Sequence, residues 1–153
     1  MPEGPRHDED ERVEEYLECM YKLEEQQGVC RTKSMSTRLG ISQASVTEML
    51  GRLAKGGYIL YSPRQGALLT KKGLKVGRKM TRRHRLLEVF LYDKLGVSKS
   101  RVHKEACRME HSVSDETEEK LIAFLRTPTN CPDDKRLIPY EQQGIPGGRV
   151  ARH

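Results

Sequence analysis

A helix-turn-helix pattern in residues 33–57 constrains the fold of this chain more than any other feature. Gly40 can end a short first helix with a positive φ, and Ser42 can cap the helix that follows. That second helix is predicted over residues 43–55. Its apolar residues recur at helical spacing and are predicted to face inward: Val46, Met49, Leu50 and Leu53. The pattern is typical of a DNA-binding unit, although an ordinary pair of packed helices can share it.

A β-hairpin is predicted directly after this pair of helices. Residues 58–61 are aromatic and apolar, residues 67–70 form a return strand, and Pro63 lies in the turn between them. A hairpin directly after a helix-turn-helix is typical of the wing in a winged helix-turn-helix domain. Arg64 at its tip is placed to touch a phosphate or the minor groove of DNA.

The charge distribution favours a nucleic acid as the partner, although a solvated basic helix would look the same. Residues 31–104 carry a net charge of +15, whereas residues 1–26 carry −7. A concentrated positive field attracts a polyanion, and short hydroxyl side chains on an exposed helix permit close approach to it. We therefore predict double-stranded DNA as the partner. The residues predicted to contact it are Thr32, Lys33, Ser42, Ala44, Ser45, Thr47, Glu48, Arg52, Lys55 and Arg64.

The other segments are predicted to be mainly α-helical. Residues 1–10 are polar, and we expect them to be disordered. Further helices are predicted over residues 11–27, from Lys71 to Gly96, from Ser98 or Ser100 to Ser112, and from Ser114 to Pro128. Residues 128–153 hold four of the seven prolines and are predicted to be irregular, with a disordered tail over residues 141–153.

The composition argues against a membrane protein. No apolar run approaches the ~18 residues that span a bilayer, and the N-terminus lacks the apolar core of a signal peptide. We expect a cytoplasmic protein in which the four scattered cysteines are free thiols or metal ligands.

Residues 103–111 carry side chains that bind transition metals. Read as a helix, the segment has an apolar stripe: Val102, Ala106, Met109 and Val113. Beside that stripe lie His103, Cys107, Glu110 and His111. Imidazole, thiolate and carboxylate are ligands for transition metals. The alternative is a solvent-facing helix surface that happens to carry His and Cys.

Two further helices offer candidate ligands. Glu15 and Glu18 lie off the apolar stripe of the first helix, and His84 and Glu88 are four residues apart on the long helix. Such residues are more often solvent-facing or joined in a surface hydrogen bond, so spacing alone leaves their role open.

With these motifs together, the chain resembles the diphtheria toxin repressor family of metal-dependent transcription repressors, in its two-domain form. The matching runs are residues 15–18, 21–25, 39–42, 45–50, 69–70, 83–88, 102–103, 105–111 and 114–116. The run from Glu105 to His111 is specific to the family. The resemblance implies a winged helix over residues 11–73, a helical dimerisation and metal-binding domain over residues 74–140, and repression of metal-uptake genes.

The resemblance also assigns two metal sites. A primary site maps onto Glu15, Cys107, Glu110 and His111, with Glu18 as a further candidate ligand. An ancillary site maps onto His84, Glu88 and His103. Larger relatives carry an SH3-like domain that helps to ligate the ancillary metal, and we expect this chain to lack it.

The metal is predicted to be Fe²⁺, because the Cys107 thiolate is a soft ligand and cysteine accompanies iron sensing in the family. Mn²⁺ is the alternative, since Glu15 and Glu18 favour it. Co²⁺, Ni²⁺ or Zn²⁺ should substitute in vitro.

We expect a homodimer on an operator, with no membrane, no small-molecule substrate and no enzymatic activity. A redox sensor using Cys107, perhaps with Cys131, and a metalloenzyme using Cys107, Glu110 and His111 stay open.

Overall fold

A computed structural model describes residues 6–126, with side chains from residue 9 onward. The helices are α1 Arg6–Gln27, α2 Thr32–Leu39, α3 Gln43–Lys55, α4 Lys71–Val89, α5 Lys99–Met109 and α6 Asp115–Phe124. The strands β1 Ile59–Ser62 and β2 Gly66–Leu69 form an antiparallel hairpin. The predicted irregular segment 128–153, its tail and Cys131 lie outside the described residues.

The start of α1 corrects one prediction. Residues 6–10, expected to be disordered, belong to the helix, which begins at Arg6. The acidic residues there suit the positive end of the helix macrodipole, so an acidic segment need not be unfolded. Glu9 also lies 3.7 Å from the guanidinium of Arg52 on α3, which connects this first turn to the second helix of the pair.

The winged helix forms as predicted, with strand limits that differ by one residue. Gly40 ends α2 with φ +68°, and the Ser42 hydroxyl caps α3 by accepting from the amide of Ser45. Ile59 pairs with Leu69 in the hairpin. The core beneath comes from α1, α2, α3 and both strands: Leu17, Met20, Leu23, Met35, Val46, Leu50, Leu53, Ile59 and Ala67.

Helices α1 and α4 pack with very little space between them. A Cβ at Gly77 would lie 2.7 Å from the carbonyl oxygen of Leu17 and 2.9 Å from Cβ of Tyr21. Glycine at this position therefore allows the two backbones to approach. This close packing brings Glu18 on α1 beside His84 on α4.

The long helix predicted to reach Gly96 changes geometry before its end. Helix α4 stops at Val89, and residues 90–94 form one π-helical turn before the chain turns at Gly96 (φ +68°). A second, smaller core joins this turn to α5 through Leu87, Leu91, Val102 and Ala106.

The apolar stripe predicted for α5 is only partly right. Val102 and Ala106 are buried, but Met109 is 38% exposed. The prediction assumed a regular helix to Ser112, whereas α5 ends at Met109 and Glu110–Ser112 form a tighter 3₁₀ turn. That change of geometry turns Glu110 inward, where it is 2% exposed.

Helix α6 is fixed to α4 by buried ion pairs. Glu118 is fully buried, and its carboxylate accepts from Nε of Arg82 at 2.5 Å and from Nε of Arg83 at 2.9 Å. Asp115 adds bonds from Arg83 at 2.5 Å and from Lys79 at 2.6 Å. Helix α6 ends at Phe124, earlier than the predicted stop at Pro128. Within residues 6–126, no helix combines the length and apolar character needed to cross a membrane.

Candidate metal centre

Helices α1, α4 and the turn after α5 bring three buried ligand candidates together. Glu18, His84 and Glu110 each offer a ligand atom within 4.8 Å of the others. Nδ1 of His84 lies 2.6 Å from a carboxylate oxygen of Glu110. All three are 5% exposed or less. This buried group contains residues that the family resemblance assigned to different sites.

His84 also belongs to a second group, which reaches the surface. His84, His103 and Cys107 offer ligand atoms within 4.8 Å of one another. Sγ of Cys107 lies 3.8 Å from Nδ1 of His84 and 3.7 Å from Nε2 of His103. The two groups therefore meet at His84, and together they contain carboxylate, imidazole and thiolate donors.

Glu88 lies next to both histidines of this second group. His84 and Glu88 form a hydrogen bond, but it is buried and not on the surface, because both residues are 2% exposed. One oxygen of Glu88 lies 2.9 Å from Nε2 of His84 and 3.1 Å from Nδ1 of His103. Burial alone would raise the pKa of Glu88, but these hydrogen bonds outweigh it and hold the pKa at about 2. Glu88 is therefore an ionised carboxylate in contact with both imidazoles.

The buried carboxyl groups of Glu18 and Glu110 have pKa values that are shifted in opposite directions. Burial, together with the hydrogen bond and charge of Glu18, raises the pKa of Glu110 to about 10. Burial would also raise the pKa of Glu18, but the hydrogen bond from Glu110 and the charge of Lys22 lower it. Without a metal ion, these shifts favour a neutral Glu110 beside an ionised Glu18, and metal binding here would release the proton of Glu110.

His111 faces the centre from the other side and connects it to α1. Its Nδ1 lies 2.9 Å from a carboxylate oxygen of Glu14, and its Nε2 lies 3.4 Å from Glu110. The hydrogen bond to Glu14 raises the pKa of His111. A carboxylate on one ring nitrogen fixes the orientation of an imidazole whose other nitrogen can bind a metal.

Glu14 and Lys22 were not predicted as site residues, whereas the family resemblance placed Glu15 in the primary site. Glu15 is exposed and lines a cleft of about 790 Å³ together with Cys107, His111 and Arg52. Lys22 donates a hydrogen bond to Glu18, one helical turn earlier on α1. The signal available in the sequence was spacing, because residues 14, 18 and 22 repeat at four-residue intervals along one side of the helix.

The candidate DNA-contacting residues lie on α2, α3 and the wing. All are exposed except Thr32, which is half-buried. Arg52 lies 3.2 Å from Glu48 and 3.7 Å from Glu9, and it lines the same cleft as Cys107 and His111. The cleft thus lies between the candidate metal ligands and α3, the predicted recognition helix. Contact of these residues with DNA stays a prediction.

Known families match both halves of the chain. The iron-dependent repressor N-terminal DNA-binding domain matches residues 10–67. The iron-dependent repressor metal-binding and dimerisation domain matches residues 70–139. The fold and the site thus define a metal-dependent transcriptional repressor, a class of regulators and not of enzymes. The chain belongs to the iron-dependent repressor family, which includes the diphtheria toxin repressor.

Curated relatives include the regulator MntR and the diphtheria toxin repressor. The transcriptional regulator MntR of Salmonella typhimurium is 40% identical over 114 residues, which cover 74% of this chain and 72% of that protein. The diphtheria toxin repressor of Corynebacterium diphtheriae is 30% identical over 145 residues, or 90% of this chain and 64% of that protein.

Solved structures agree with this assignment. A manganese-dependent transcriptional repressor in complex with manganese superimposes with a TM-score of 0.73 at 32% identity. The match covers 83% of this chain and 62% of that one. The manganese regulator SloR gives a TM-score of 0.70 at 34% identity, covering 82% of this chain and 62% of that one. The chain therefore spans about three fifths of the length of these structures.

Proposed function

We propose that this chain is an Fe²⁺-activated repressor that binds operator DNA as a homodimer. The observation that carries the choice of metal is the thiol of Cys107, which lies within 3.8 Å of imidazole nitrogens of His84 and His103. A thiolate with imidazoles favours Fe²⁺, Co²⁺ or Zn²⁺ over Mn²⁺. Mn²⁺ is the second candidate, because the buried carboxyl groups of Glu18 and Glu110 are hard oxygen donors.

The arrangement suits a switch in which helix positions control DNA binding. A bound divalent ion would supply positive charge between donors from α1, α4, α5 and the turn that follows. Glu18 and Glu14 connect α1 to that centre, and α1 packs directly beneath the winged helix. A preference of ~1–3 kcal/mol for one arrangement of the helices changes DNA affinity by roughly 5–150-fold.

A homodimer would present two recognition helices to half-sites about one DNA turn apart, near 34 Å. Exposed apolar side chains beyond the metal centre support such an interface. Leu95 is 59% exposed, Phe124 is 60% exposed and Tyr92 is 42% exposed. These residues lie in the segment that matches the family's dimerisation domain.

The choice between iron and manganese is tested by competition under anaerobic conditions. Free Mn²⁺ has an EPR signal that is lost when the ion binds, so Fe²⁺ added to the Mn²⁺-loaded protein reports relative affinity. We expect Fe²⁺ to displace most of the bound Mn²⁺ without being added in large excess. Retention of Mn²⁺ against a large excess of Fe²⁺ would show that the carboxylates outweigh Cys107.

Replacing Arg52 by alanine is expected to weaken DNA binding without changing metal affinity. Arg52 is exposed on α3 and can reach a phosphate or a base edge, while its contacts within the protein are to Glu48 and Glu9. We expect a loss of ~1–3 kcal/mol in operator binding, measured by fluorescence anisotropy. Lys120→Ala, on the exposed side of α6, is the matched control. Operator affinity equal to that of the native protein would remove Arg52 from the DNA surface.

A further inference from the structure

Lys22 places a positive charge beside the candidate metal ligands. Its side chain is 14% exposed, and its ammonium group donates to the carboxylate of Glu18, whose side chain is 6% exposed. Both residues lie on α1, one turn apart. The buried carboxylate of Glu18 is therefore already paired with a cation when no metal is bound.

The charge of Lys22 acts on three candidate ligands. It favours the ionised carboxylates of Glu18 and Glu110, and it disfavours protonation of His84. Burial works in the opposite direction on both carboxyl groups. Lys22 is therefore close enough to affect any other cation held by these residues.

We propose that Lys22 is a built-in competitor that occupies Glu18 in the metal-free protein and sets the affinity for the divalent ion. The inference rests on the proposed metal site. In the metal-free state, the ammonium neutralises a carboxylate whose burial would otherwise be costly. In the metal-loaded state, the same ammonium repels the divalent ion and competes for an oxygen of Glu18. Lys22 thus stabilises the empty site and opposes the occupied one.

This role differs from that of an ordinary structural salt bridge or of a residue that orients Glu18. A purely structural lysine would stabilise both states equally. A lysine that orients Glu18 for the metal would increase metal affinity. Only a competitor makes the metal-free protein more stable and the metal-loaded protein less stable.

Lys22→Met removes the charge and keeps a long side chain. We expect Mn²⁺, used alone as the probe and followed by the EPR signal of the free ion, to bind about tenfold more tightly, which equals about 1.4 kcal/mol. Lys22→Arg keeps the charge and should retain an affinity within about threefold of the native value. Lys22→Gln is a second neutral variant, for use if the methionine variant does not fold.

The tighter Mn²⁺ binding of the Lys22→Met protein must also depend on Glu18. In a double-mutant cycle, Lys22→Met is expected to tighten Mn²⁺ binding in the native background and to have little effect in a Glu18→Gln background. Thermal unfolding gives a second readout, because Lys22→Met should lower the midpoint in chelator and increase the stabilisation that saturating Mn²⁺ gives.

Equal or weaker Mn²⁺ binding by both neutral variants would overturn the role of Lys22 and leave the proposed metal-dependent function standing. An equal increase in Mn²⁺ affinity from Lys22→Met in the Glu18→Gln background would also overturn the role of Lys22. Absence of Mn²⁺ binding by the native protein and every variant would overturn the proposed metal site, and this inference with it.

Discussion

Replacing Glu110 by alanine is expected to abolish metal-dependent DNA binding while the protein stays folded. Glu110 lies at the junction of the centre, 2.6 Å from Nδ1 of His84, 3.4 Å from Nε2 of His111 and hydrogen-bonded to Glu18. Among the candidate ligands in the described part of the chain, only His84 contacts more of the others. Removal of groups that merely orient ligands costs 10–100-fold in metal affinity, so we expect loss of Glu110 to cost about 100-fold or more.

The Glu110→Ala protein should unfold at a lower denaturant concentration but in one cooperative transition. Removal of the Glu110 carboxyl group leaves buried polar atoms of His84 and Glu18 without this partner. The lost hydrogen bonds lower the free energy of unfolding by about 1–3 kcal/mol. Glu105→Ala is the matched control, because Glu105 lies on α5 and pairs with Arg101 and Arg108 away from the buried ligands. A Glu110→Ala protein whose operator affinity still responded to metal would show that the regulatory site lies elsewhere.

Replacing Glu118 by alanine is expected to lower the free energy of unfolding by about 3 kcal/mol. Its carboxylate is fully buried and bonded to Arg82 and Arg83, whose side chains are 11% and 6% exposed. Removing one partner of a buried ion pair typically costs about 3–5 kcal/mol, because the remaining charge stays buried. Asp115 still contacts Arg83 and Lys79, which places the expected loss at the lower end.

Urea unfolding of Glu118→Ala beside Glu116→Ala measures this effect. Glu116 is exposed in the first turn of the same helix, so its removal should change stability by less than about 0.5 kcal/mol. Within residues 9–126, the ion pairs of Glu118 are to Arg82 and Arg83 and to none of the ligand candidates, so the metal affinity of the folded protein should be retained. Equal stability of the two variants would show that the buried ion pairs do not fix α6 to α4.

Local signals in the sequence were sufficient to predict the winged helix. Gly40 and Ser42 mark the turn between α2 and α3, and both act as predicted, through a positive φ and through a cap. The strands shifted by one residue because composition alone does not fix the register of a short hairpin. The first turn of α1 was missed, since its acidic residues resemble a disordered segment until their favourable place in the helix is known.

The candidate centre was harder to predict, because burial depends on contacts between distant segments. Spacing placed His84 and Glu88 on one side of α4, but only the packing of α1 and α5 against that side buries them. The assumption of a regular helix to Ser112 concealed the inward turn of Glu110. The resemblance divided the ligands into two sites, whereas the structure brings both together at His84, and it gave no role to Glu14 or Lys22.

Control of DNA binding by a divalent ion at this centre can be measured directly. The most direct test is fluorescence anisotropy of DNA from upstream of the protein's own gene, under anaerobic conditions, with Fe²⁺ or Mn²⁺ and then a chelator. We expect the metal to tighten binding by roughly 5–150-fold, and the chelator to reverse it. DNA affinity that stays constant through metal addition and chelation, yet changes with a mild oxidant, would contradict the claim and favour redox sensing by Cys107.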